Sequence, residues 1–165
     1  MPRRSTSCCG ASDAREPQAV NEFHYRRMQI DDYDEVLRLW ATCEGLSIRD
    51  ADSRDGVERY LARNPGLSHI AVHGDRIVGS IMGGHDGKRG YIQHLAVAES
   101  ARQQGVASRL VALCVDALKH EGIEKSHVHV LKHNQAGNAY WTRLGWRQRS
   151  EVVMYSFING DNENA

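Results

Sequence analysis

The chain has 165 residues and sets 21 basic against 21 acidic side chains. That length is enough for one domain with a core of its own. The even balance, without clustered Lys/Arg, carries no nucleic-acid footprint, and no apolar run approaches the roughly 20 residues of a membrane span. Residues 1–21 begin basic but lack an apolar stretch, so they do not read as a secretory signal. Rich in Ser, Ala and charge, they are expected to form a disordered tail, ahead of one domain over 22–158 and a short tail at 159–165. Cys8 and Cys9 lie in the first tail, and Cys43 and Cys114 fall in helical patterns. No spacing suggests zinc or a disulfide framework. The plainer reading is four free thiols in a reducing cytoplasm, against a redox or metal role for Cys8–Cys9.

In chain order, Phe23–Met28 reads as a first strand. Asp31 or Asp32 can cap the helix that follows, in which Val36, Leu37, Trp40 and Cys43 repeat at helical spacing. Gly45–Ser53 is a polar loop. A second helix carries Val57, Tyr60 and Leu61 and stops at Asn64-Pro65-Gly66. Ile70 and Val72, the Gly74-Asp75 turn, and Ile77 to Met82 form a hairpin. Gly83–Gly90 reads as a glycine-rich turn and Tyr91–Val97 as the next strand. Gly105–His120 is a helix with apolar residues nearly all round, expected to be largely buried and ended by Gly122. His127–Leu131 is a strand, Asn134–Leu144 a short helix, and Val152–Phe157 a last strand. A helical crossover joins Tyr91–Val97 to His127–Leu131, so these two strands should be parallel. The hairpins are antiparallel, and the fold is an α/β (α+β) domain with a mixed, mostly antiparallel sheet.

The most telling stretch is Tyr91–Ser108. A strand runs into the polar loop Arg102-Gln103-Gln104-Gly105-Val106-Ala107, and a long helix begins at once. N–H groups in a first helical turn lack internal partners, and the helix dipole adds partial positive charge, so such a junction suits a phosphate. There is no Gly-Lys-Ser/Thr to hold a triphosphate and magnesium. An ordinary capped turn without ligand is the alternative.

The loop has the pattern R-x-x-G-x-A, and a second signature follows. Val128 and Val130 precede Asn134, and Tyr140, Trp141, Leu144, Gly145 and Trp146 complete a helix with a Gly-aromatic close. Together, over about Glu22 to Ile158, these resemble the GCN5-related N-acetyltransferase (GNAT) family. Gly83–Gly90 also resembles an uncharacterised bacterial subgroup of it. The resemblance implies a splayed parallel strand pair, and acetyl transfer from acetyl-CoA directly to a primary amine of a small molecule or protein, without a metal.

It further implies pyrophosphate contacts from the backbone of Gln103, Gln104, Gly105, Val106, Ala107 and Ser108. Arg102 either adds a contact or faces solvent. The pantetheine arm would pair with main-chain groups of Leu95 and Val97 on one side and touch Asn134 on the other, unless Asn134 serves only as a helix cap. For the amine's proton, His129 is the first candidate base. Surface or packing roles stand beside it, and a metal role for His127, His129 and His133 is a poorer fit. Tyr91 is the second candidate, at a place where several members bind or activate the amine; a plain strand aromatic is its alternative. His94 faces away from Tyr91 in a regular strand, and a bulge would reverse that. Glu44 is either an acceptor contact or a solvated helix end.

The chain departs from the family at the general acid. A Tyr usually stands where this sequence has Trp141, with Tyr140 one residue earlier. Trp141 favours an alternative, a catalytically quiet acetyl-CoA-binding or sensing module. Transfer of a larger acyl group depends on pocket size. Protein N-termini, polyamines, amino acids and aminoglycosides all remain open as acceptors. A second copy of the chain is a candidate partner, since dimers are frequent in the family; nucleic acid and membrane are not expected.

Overall fold

The computed structural model describes residues 22–164. The expected tail at 1–21, with Cys8 and Cys9, lies outside the described residues. Strand β1 (His24–Arg27) leads through a 3-10 turn into helix α1 (Tyr33–Ala41). Neither Asp31 nor Asp32 caps α1. The Asp32 carboxylate turns back, accepting from the Gln29 N–H (2.8 Å) and from both ends of the Arg26 guanidinium (2.8 and 2.6 Å). Helix α2 (Arg54–Arg63) begins where the Ser53 hydroxyl accepts the Gly56 N–H. A Cβ on Gly56 would stand 2.0 Å from the Ala51 carbonyl oxygen, so this turn requires glycine.

Strands β2 (His69–His73), β3 (Arg76–His85) and β4 (Gly90–Val97) follow, then α3 (Val106–His120), β5 (Ser126–Val128) and α4 (Gln135–Arg143). They form one sheet in the order β1-β2-β3-β4-β5, antiparallel except for the parallel β4–β5 pair. Helices α1 and α2 cover one face, over Ile70, Ile77, Met82 and Ala96. Helix α3 and Trp141 of α4 cover the other, over Ala71, Val78, Ile81 and Ile92. Helix α3 is buried on one side only, and Ala112 and Asp116 are exposed. It ends as expected at Gly122, in a left-handed conformation with φ +78°.

Three expectations change. Gly83 and Gly84 belong to β3, which runs on to His85. A Cβ at Gly83 would stand 2.4 Å from Cys114 Sγ, and one at Gly84 2.6 Å from the Tyr60 hydroxyl. These glycines admit close packing on both faces of a strand, where their composition suggested a turn. Strand β5 starts at Ser126 and ends at Val128, short of Leu131. Its register runs from Gly90↔Ser126 to Ile92↔Val128 and stops, because β4 bulges just beyond Ile92. Val152–Phe157 forms no strand. A β-branched and aromatic run becomes a strand only with a neighbour to pair with, and here Tyr155 and Phe157 are almost fully exposed.

The β4 bulge organises the rest. Ser80 of β3 pairs with Ala96, and Met82 with Gln93, so Ile81 alone stands against His94 and Leu95. His94 adopts φ +49°. Bulges strengthen local twist and re-aim side chains, and above this one β4 and β5 part.

Candidate active site

The parted strands open a cleft of about 680 Å³. One wall is β4, with His94, Leu95 and Val97. The other is the chain from Val128 through His129 and Val130 to His133. Asn134, Tyr140 and Trp141 of the α4 region close one side, Cys43 to Leu46 another, and Arg102 and Ala107 form the end at α3. A second groove, of about 720 Å³, lies outside β5 among Val115, Ile123, Lys125 and Trp146 and holds none of the expected site residues.

At the α3 end, Gln103 (φ +60°) and Gly105 (φ +81°) both take left-handed conformations, turning the loop sharply into the helix. The first helical hydrogen bond is Arg109 N–H to the Gly105 carbonyl (3.0 Å). The N–H groups of Val106, Ala107 and Ser108 therefore lack helical acceptors and point out of the helix end. Arg102 does not simply face solvent, since its Nε donates to the Val97 carbonyl (3.3 Å) at the cleft wall. Asn134 takes the capping role, its Oδ1 accepting the Gly137 N–H (2.8 Å), and also lines the cleft. Gly45 leaves room for it, since a Cβ there would lie 2.4 Å from Asn134 Nδ2.

Tyr140 and Trp141 both line the cleft, with rings edge to face at 5.4 Å. The Tyr140 hydroxyl is buried without a hydrogen-bond partner among the described residues. Burial raises its pKa, and the nearby Ser108 hydroxyl, then Arg143, offset part of that rise. A buried hydroxyl with no acceptor in line suits a ligand atom that accepts from it.

Of the remaining expected residues, His129 and Glu44 line the cleft and Tyr91 does not. Tyr91 stands lower on β4, beside His127 of β5 (ring centroids 6.0 Å apart), and its hydroxyl donates to Asp86 Oδ2 (3.2 Å). His94 lines the cleft because of the bulge, and its Nε2 lies 3.0 Å from Asp52 Oδ1. Asp52 escapes a sequence reading altogether, since it sits in a polar loop with no spacing that ties it to β4. Cys43 lies at the cleft and Cys114 in the core, both free. Burial pushes the Cys114 thiol up to about 12, which leaves it inert. Among the described residues no group of three His, Cys, Asp or Glu gathers to hold a metal, and no helix is long and apolar enough to cross a membrane.

A cleft between parted parallel strands, ending on the exposed N–H groups of a helix, suits an extended ligand with a phosphate at one end. Residues 33–146 match the family model described as Acetyltransferase (GNAT) family, and the chain belongs to that family. An acetyltransferase of Pectobacterium atrosepticum is 36% identical over 138 residues, 84% of this chain and 97% of that protein. One from Yersinia pestis (strain Pestoides F) is 31% identical over the same shares. Among solved structures, AAC(6')-Iy in complex with the bisubstrate analog CoA-S-monomethyl-acetylneamine superposes with a TM-score of 0.67 at 20% identity, covering 84% of this chain and 99% of that one. The chain is thus an acetyl-CoA-dependent N-acetyltransferase.

Proposed function

We propose that acetyl-CoA lies in the β4–β5 cleft with its pyrophosphate on the N–H groups of residues 103–108. The observation that carries this reading is the continuity of that cleft, from the open turn of α3 to the unpartnered Tyr140 hydroxyl. Gly105 has nothing within 4 Å of its Cβ position, so the loop surface is open to a phosphate. The pantetheine arm runs along the main chain of Leu95 and Val97 and passes Asn134. Main-chain N–H groups near the bulge are placed to polarise the thioester carbonyl, and one such donor aimed at a developing oxyanion contributes on the order of 3 kcal/mol.

The acceptor is a primary amine, which must lose a proton before it attacks. The cleft wall offers three imidazoles, His94, His129 and His133, of which His129 and His94 are the candidates for that proton. After C–N bond formation the electron pair of the broken C–S bond leaves on sulfur. The Tyr140 hydroxyl, buried at the cleft, then protonates the thiolate in place of the tyrosine that Trp141 displaces. Tyr91, outside the cleft with its hydroxyl on Asp86 Oδ2, takes no part in this reading. The free thiols of Cys43 and Cys114 fit a cytoplasmic protein. The exposed run of Val152, Val153, Met154, Tyr155 and Phe157 fits a second copy as partner; sedimentation as a single chain at micromolar concentration contradicts that partner.

The test of the reaction is release of free thiol from acetyl-CoA over a panel of amines. Release with at least one amine supports transfer. Tight acetyl-CoA binding with no release for any amine supports the quiet binding module that Trp141 suggests.

A further inference from the structure

The β4 bulge delivers an imidazole to the cleft and holds it there. A left-handed conformation is unfavourable for a residue with a Cβ, and His94 is kept in it by a buried chain of hydrogen bonds. Trp40 Nε1–H donates to Ser80 Oγ (2.9 Å), and the Ser80 hydroxyl donates to the His94 carbonyl (3.3 Å). The His94 ring packs on the Trp40 indole, centroids 4.3 Å apart. Its Nε2 lies 3.0 Å from Asp52 Oδ1, with the two side chains only 14% and 12% exposed. The two atoms are in ion-pair range but out of line for a good hydrogen bond.

Asp52 is fixed in turn. Its Oδ2 accepts the Arg49 N–H (2.8 Å) and its carbonyl accepts the Tyr33 hydroxyl (2.9 Å). Burial raises the Asp52 carboxyl, but the adjoining His94 and the Arg49 N–H outweigh burial and hold it below its ordinary value. It is therefore an anion at neutral pH. With Nε2 turned to that anion, Nδ1 is the free nitrogen of His94. His129, across the cleft, is exposed, and nothing among the described residues fixes its tautomer.

We infer that His94, oriented by Asp52, takes the proton from the acceptor ammonium, while His129 contacts the acceptor without carrying that proton. This rests on the placement of acetyl-CoA proposed above. The Nδ1 lone pair accepts the ammonium proton and frees the amine, which bonds to the thioester carbonyl carbon. The C–S bond breaks with its electron pair on sulfur, the thiolate takes a proton from Tyr140, and the Tyr140 phenolate regains one from the acylated nitrogen, which leaves the neutral amide and the free thiol. The imidazolium left behind faces the Asp52 carboxylate across the 3.0 Å contact. The other charged or titratable groups around His94 are Arg49 of the same loop, Tyr33 of α1, Cys43 and Glu44 just after α1, and His129 and His133 on the far wall. The β3 neighbour, Ser80, does not titrate. Among the described residues the one ion pair that His94 makes is with Asp52.

The experiment is a pH profile of kcat/KM, with acetyl-CoA affinity measured alongside, for wild type, His94→Gln, Asp52→Asn and His129→Gln. His94→Gln lowers kcat by roughly 10²-fold or more and removes the acidic limb, while acetyl-CoA still binds. The backbone network through Ser80 holds the bulge through its carbonyl, so this variant keeps its fold. Asp52→Asn keeps the shape and removes the anion that orients the ring, so kcat falls while acetyl-CoA affinity and KM for the amine hold. His129→Gln raises KM for the amine and leaves the limb in place. A His94→Gln profile that keeps both limb and kcat overturns the inference, as does an unchanged kcat in Asp52→Asn or a limb lost in His129→Gln. Wild type that fails to bind acetyl-CoA contradicts the cleft placement instead, and that result is visible without any variant.

Discussion

Ile92 and Ala96 lie on one strand yet point into opposite cores: Ile92 packs beneath α3 and Trp141, and Ala96 against α1. In a regular strand both would share a face. The extra residue at His94–Leu95 inverts the alternation between them. The same irregularity ends the pairing with β5 after Ile92. The cleft and the position of His94 therefore have one cause.

That cause has a buried anchor in Ser80, which is fully buried beside an almost fully buried Trp40. Ser80→Ala leaves the Trp40 N–H without its acceptor and the His94 carbonyl without its donor. An orphaned buried polar group costs about 1–3 kcal/mol. Urea unfolding should show a loss of that size. Turnover should fall with it as His94 loosens, and an unchanged midpoint contradicts the anchoring role.

Gly45 and Asn134 form a second contact that the cleft depends on. Gly45→Ala places a Cβ in a left-handed backbone (φ +80°) against the Asn134 amide. The backbone part alone costs roughly 1–2 kcal/mol, and the displaced amide no longer lines the cleft. Acetyl-CoA affinity by calorimetry should weaken and Tm should drop by roughly 2–4 °C per kcal/mol. Wild-type affinity in this variant contradicts a role for Asn134 in holding the arm.

Tyr140→Phe separates chemistry from stability. Its hydroxyl has no well-aligned hydrogen bond to lose, only the nearby Ser108 hydroxyl, so the variant should be about as stable as wild type. Turnover should fall modestly, toward the lower end of the roughly 10²–10⁴-fold that acid catalysis contributes, because a thiol with a pKa near 8.5 leaves tolerably unaided. Full activity removes Tyr140 from the mechanism.

The order of elements, the parallel pair and the helix-end loop were legible because each is written in local pattern: periodicity, a cap, a glycine at a helix end. Arg102 to Ser108 are contiguous, so their site could be read as a unit. The His94–Asp52 pair could not, because it depends on a bulge and on where a polar loop folds back. Tyr91 shows the reverse limit. Its position on the strand is plain from the sequence, but the parting of β4 and β5 begins above it and leaves it outside the cleft. The last strand failed because Val152–Phe157 has strand composition and no partner to pair with.

Asp32 sets a pH dependence away from the site. Burial alone would raise its carboxyl, but the Arg26 pair and the Gln29 N–H hold it below the ordinary value. A depressed folded-state pKa contributes stability that is present above the unfolded value and lost as pH falls through the folded one. Wild type should be more stable than Asp32→Asn at neutral pH. The gap should close as pH drops below roughly 4. A gap that persists at lower pH contradicts the pairing as its source.

The most direct test of the central claim is a crystal structure with CoA and an amine bound. The pyrophosphate should rest on the N–H groups of residues 103–108, the arm should lie between Leu95–Val97 and Asn134, and the amine should sit within reach of His94 Nδ1. CoA bound in the groove outside β5, or an amine held at the cleft with no imidazole near it, would contradict the account.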